Sequence, residues 1–102
     1  MLLSVTRTED PRGLRLEGEL DLSGETALRA ALDELIREGG PITLDLSELR
    51  FMDSTGLRVM LQTAGSMDGA APLVLYRPTG AVLRLLEISV AGAPGLVVRH
   101  ES

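Results

Sequence analysis

The chain has 102 residues, a length that suits one domain with one modest core, and its 44% hydrophobic and 25% charged residues argue against broad disorder. A formal net charge of −5, with Phe51 and Tyr76 the two aromatic residues, opposes a nucleic-acid partner, which needs a basic footprint or a base-stacking platform. Cysteine is absent and His100 is the sole histidine, which excludes disulfides, thiolate chemistry and zinc sites built on several imidazoles.

Residues 2–6 read as a short strand, and residues 9–13 carry Pro11 and Gly13 in a turn. Residues 14–18 alternate apolar and charged side chains, the period of a half-buried strand, so the two segments are expected to form an antiparallel hairpin. Leu28, Ala31, Leu32, Leu35 and Ile36 fall on one helical face. Ser23 is the expected N-cap of that helix, Glu25 suits its first turn, and Gly39-Gly40-Pro41 stops it. Residues 42–46 alternate again and predict a third strand, followed by a polar connection at Ser47-Glu48 and a further one through Phe51-Met52.

A second helix is expected to start at Asp53-Ser54-Thr55-Gly56, with Leu57, Met60, Leu61 and Ala64 at helical spacing. Residues 69–72 break it. Residues 73–76 form a buried-strand candidate, and Val82, Leu85, Leu86 and Ser89 share the face of a third helix after Pro78-Thr79-Gly80. A loop over 91–95 leads to a last strand at 96–98. The expected fold class is therefore α/β, in the order β-β-α-β-α-β-α-β across residues 1–102 as a single domain. The sheet would be mixed and mostly parallel, opened by the antiparallel hairpin and joined by right-handed crossovers.

The segment from Leu44 to Leu61 stands out chemically. Two readings of its centre are open. Asp53, Ser54 and Thr55 can cap the free N–H groups of a first helical turn. Alternatively, the helix start displays Ser54, whose hydroxyl could carry an anion facing the positive end of the helix. Gly56, lacking a Cβ, would then let a partner approach.

The run Asp45-Leu46-Ser47-Glu48-Leu49-Arg50-Phe51-Met52-Asp53-Ser54-Thr55-Gly56-Leu57, together with Gly18-Glu19-Leu20-Asp21, resembles the STAS domain, specifically its bacterial anti-sigma factor antagonist branch. The resemblance covers nearly the whole chain and implies the same order of elements. It implies that Ser54 is the phosphorylated residue. It also implies that the unmodified form binds an anti-sigma factor, itself an ATP-using serine kinase, and so frees a sigma factor. Phosphorylation then breaks the complex and a serine phosphatase restores it. Asp21, Asp53, Thr55, Gly56, Leu57 and Arg58 are the expected partner-binding residues. Arg58 departs from the family pattern, in which a small residue often follows the Gly-Leu pair.

No cofactor is expected on this chain, ATP belonging to the kinase partner. Catalysis by the chain itself is not expected: a carboxylate beside a serine lacks the positioned base and orienter of a working nucleophile. No run of the form G-x-x-x-x-G-K-[ST] offers a phosphate cradle. Membrane insertion is not expected, since no apolar run reaches about 18 residues; no signal peptide is expected at the start, and the expected location is the cytoplasm. Oligomeric state is left open. The alternative setting is a STAS subunit of a lipid-transport or stress-sensing complex.

Overall fold

A computed structural model describes residues 2–67, 71–89 and 93–100. Strand β1 spans Ser4–Glu9 and β2 spans Arg12–Leu20. They pair antiparallel from Ser4↔Glu17 to Glu9↔Arg12, so Asp10 and Pro11 form the turn of the expected hairpin. Strand β3 spans Ile42–Met52, β4 Leu73–Tyr76 and β5 Leu96–Arg99, each parallel to the strand before it. Helices α1 (Glu25–Glu38), α2 (Ser54–Ser66) and α3 (Gly80–Ser89) form the three crossovers.

The sheet order is β1-β2-β3-β4-β5. Because every right-handed crossover advances in the same direction, all three helices fall on one face of the sheet. Period-2 alternation sends Leu14, Leu16, Leu44, Leu46, Leu73 and Leu75 to that face. There they join Leu28, Leu32 and Leu35 of α1, Val59 and Met60 of α2, and Val82 and Leu86 of α3 in one buried cluster. Each such side chain contributes about 1.5–3 kcal/mol by leaving water. Thr43, Asp45, Tyr76 and Val97 alternate with these residues and occupy the opposite face, which no helix covers.

Several details differ from the sequence reading. Ser23 is not the N-cap of α1: a single 3-10 turn, Leu22–Gly24, precedes the helix, and Gly24 occupies the cap position. Asp21 caps that turn instead, accepting hydrogen bonds from the Ser23 backbone N–H at 3.0 Å and the Ser23 hydroxyl at 2.6 Å. Ser47-Glu48 and Phe51-Met52 are not connections, since β3 runs through both. Its register against β2 slips twice, between Arg15 and Glu17 and again between Gly18 and Glu19. Each slip inserts an extra β3 residue and breaks the alternation that marks a strand. Gly18 takes φ 96° at the second slip, a backbone region that glycine enters freely.

The inward face of α2 differs as well. It carries Gly56, Val59, Met60 and Thr63, whereas Leu61 is exposed and Leu57 and Ala64 are half-buried. In α3, Val82 and Leu86 are buried and Leu85 half-buried as expected, but Ser89 is exposed. The expected loop at 91–95 and the break at 69–72 fall partly outside the described residues.

The candidate switch site at the start of α2

The parallel pairing of β2 and β3 ends with Leu20 beside Met52, and the Asp53 N–H donates to the Leu20 carbonyl at 3.3 Å. The chain leaving β2 and the chain entering α2 are therefore stitched together at one end of the sheet. Asp21 and Asp53 follow directly from the paired residues, so both acidic side chains sit at this end.

Asp53 is the N-cap of α2, with extended backbone, and its Oδ1 accepts from the Thr55 N–H at 2.8 Å. Its carbonyl accepts from the Leu57 N–H at 3.3 Å, closing the first helical turn. Capping is thus performed by Asp53, which leaves the next residue free of that task. Ser54 is the first residue of the helix and is exposed. Its hydroxyl takes no hydrogen bond among the described residues. The capping reading holds for Asp53 alone, and Ser54 is left exposed beside it.

Gly56 departs from expectation. It is buried, and a Cβ at that position would stand 2.5 Å from Met52 Cγ and 2.7 Å from Leu20 Cδ2. The space that its missing side chain leaves is filled by the protein's own core, so it does not open a path for a partner. Its role is to let α2 start close against the ends of β2 and β3. Leu57 is half-buried against the core, and Thr55 is half-buried beside its capping contact.

Arg58 is exposed on α2 and reaches across to α1. Its Nη2 lies 3.3 Å from both Glu25 carboxylate oxygens. Glu25 also accepts from Arg29 Nε at 2.8 Å, and Arg29 in turn donates to the Gln62 side chain on α2. These four side chains tie the two helices together along their polar edge. The Arg29 hydrogen bond, followed by that from Arg58, holds the Glu25 carboxyl below its ordinary value. The Asp21 carboxyl is also held low, first by the Ser23 hydroxyl.

Two exposed apolar residues stand outside the expected partner-binding set. Leu22, in the turn after Asp21, is 71% exposed, and Phe51, at the end of β3, is 44% exposed. Leu22 follows the end of β2, and Phe51 pairs with Glu19 one step before it. Both large apolar residues therefore flank the end of the sheet where Ser54 is displayed. The available signal was Phe51 itself, one of two aromatics, in a motif that otherwise hides its apolar residues.

Among the described residues, no group of three or more acidic or imidazole side chains could hold a metal ion, and no helix is long and apolar enough to cross a membrane. The space beside this end of β3, about 210 Å³, is bounded by Ser47, Glu48, Leu49, Arg50, Thr79 and Gly80 rather than by Ser54.

The sequence pattern of the family described as "Mlab, STAS domain" matches residues 3–98. Anti-sigma-B factor antagonists of Listeria monocytogenes and Listeria innocua are each 32% identical over 85 residues, covering 81% of this chain and 75% of theirs. Among solved structures, the anti-sigma factor antagonist SpoIIAA in its unphosphorylated form superposes with a TM-score of 0.72 at 23% identity, over 95% of this chain and 87% of that one. A Thermotoga maritima chain described as a candidate anti-sigma factor antagonist superposes with a TM-score of 0.74 at 20% identity, over 95% and 85%. The last two share the fold seen here. With the family pattern spanning almost every residue and two relatives similar over most of their length, this chain belongs to the STAS-domain family, in its anti-sigma factor antagonist branch.

Proposed function

We propose that this chain is an anti-sigma factor antagonist that works by switching partners. In its unphosphorylated form it binds an anti-sigma factor, a serine kinase, and so frees a sigma factor for transcription in the cytoplasm. The observation that carries this reading is the exposed Ser54, first in α2 and relieved of capping by Asp53. A kinase active site can reach such a hydroxyl without unfolding the domain.

In the modification step, the γ-phosphoryl group of ATP bound to the partner moves to Ser54 Oγ. The new Oγ–P bond replaces the bridging bond to the β-phosphate; ADP leaves and the hydroxyl proton is released. The product carries about −1.5 to −2 charges at that point. The helix N-terminus offsets about half a charge, while Asp53 and Asp21 oppose the phosphate. Charge and bulk then expel the partner, and a serine phosphatase reverses the step by hydrolysis. Leu22 and Phe51 supply the apolar contacts of the partner-binding surface, with Asp21, Asp53, Thr55 and Leu57 around Ser54.

The test is capture from a lysate of the source cells with three baits, wild type, Ser54→Ala and Ser54→Asp, read by mass spectrometry. Retention of one serine-kinase-type anti-sigma factor by Ser54→Ala, with loss by Ser54→Asp, is the expected result. The captured kinase with ATP should then phosphorylate wild type at Ser54 and leave Ser54→Ala unmodified. Indifference to position 54, or capture of lipid-transport or stress-sensing components by all three baits, sinks the reading.

A further inference from the structure

Arg58 stands four residues after Ser54 on α2, the spacing that places two side chains on one helical face. It is engaged elsewhere, with Glu25 of α1, but by the weaker of that carboxylate's two ion pairs. The Arg58 contacts are 3.3 Å, and the Arg29 contact is 2.8 Å. Arg29 shares a helix with Glu25, so the carboxylate keeps a partner when Arg58 departs. The Arg58 side chain is 54% exposed and is free to turn, whereas that of Glu25 is 18% exposed. A phosphate offers a guanidinium more charge and more acceptor oxygens than a shared carboxylate, in a geometry that allows two parallel hydrogen bonds.

We infer that Arg58 is a phosphate-binding residue: once Ser54 is phosphorylated, its guanidinium leaves Glu25 and pairs with the phosphate on its own helix. This rests on the reading of Ser54 as the modified residue and adds a structural consequence to it. The phosphorylated form exchanges a link between α1 and α2 for a link within α2. Arg58 is drawn over the start of the helix, across the surface that the partner would occupy. Modification thus adds bulk twice, once from the phosphate and once from the side chain that follows it.

The experiment uses the full chain with phosphoserine incorporated at position 54 during synthesis, so no kinase is needed. Phosphorus NMR follows the phosphate through a pH titration in wild type, Arg58→Gln and Arg58→Lys. The other charged groups around this helix end are Asp53 on α2, Glu25 and Arg29 on α1, and Asp21 after β2. They are unchanged among the three proteins. A nearby cation favours the doubly ionised phosphate, so its second pKa, about 6 when unperturbed, is lower with Arg58 present. The expected result is a rise of about half a pH unit in Arg58→Gln, partly reversed in Arg58→Lys. Equal titration of wild type and Arg58→Gln overturns the inference, whatever Arg58→Lys does. A kinase that ignores Ser54 would defeat the proposed function and leave this measurement intact.

Discussion

At position 56, one methyl group would collide with Met52 and Leu20 at distances that no packed core tolerates. Gly56→Ala is expected to cost about 1–3 kcal/mol, as overpacked sites do, with the loss read from a urea unfolding midpoint. Asp53→Ala removes the cap of α2 and should cost about 1 kcal/mol in the same assay. The two residues show how unequally single positions can be read. The capping role of Asp53 is local chemistry and is legible in four consecutive letters. That of Gly56 depends on side chains that only the fold brings near it: Leu20 lies 36 positions earlier in the chain (56 − 20). Sequence alone therefore left its missing side chain open to a partner.

Among the elements, helices with a clear apolar stripe were legible, and so were strands where alternation persisted. Strand β3 was half-legible for a physical reason: its two register slips against β2 interrupt the pattern at Ser47-Glu48 and near Phe51. A bulged strand and a polar connection look alike in one dimension. The other end of the same layer is held by Arg12, whose role the turn-like sequence around it concealed. From β2 its guanidinium donates to the carbonyls of Leu35 at 3.2 Å, Gly40 at 3.2 Å and Pro41 at 3.0 Å, and also to that of Gly39. It thereby ties the last turn of α1 to the Gly39-Gly40-Pro41 segment that follows it. Arg12→Met should destabilise the domain by about 1–2 kcal/mol, since hydrogen bonds to a charged group are lost from a partly exposed site. Helix α1 would fray first, visible as faster amide exchange at residues 35–39.

For the molecule as a whole, acidic pH should be destabilising. Arg7 grips Glu38 through two 2.8 Å hydrogen bonds and holds that carboxyl below its ordinary value. Glu25 and Asp21 are shifted in the same direction. A carboxyl lowered in the folded state contributes stability above its unfolded pKa and loses it as pH falls through the folded one. The thermal midpoint should therefore decline below about pH 4, and Glu38→Gln should flatten that decline. Phosphorylation, by contrast, should leave the fold unchanged. Amide shifts are expected to move at residues 50–60 and, through the release of Arg58, around Glu25 and Arg29. Changes spread across the sheet would refute a local switch.

The unbroken strand order has a consequence for how the chain reaches this shape. Every strand pairs with the one that precedes it in sequence, across a hairpin or a single crossover. Pairings can therefore accumulate in chain order, the local hairpin first, while each parallel pair must close a whole helical crossover, the slower kind of step. On a ribosome, β1 to β3 and α2 can assemble before β4 has emerged. The end of the sheet that displays Ser54 is thus formed from the first two-thirds of the chain, and the remaining β-α-β unit docks onto a surface already in place.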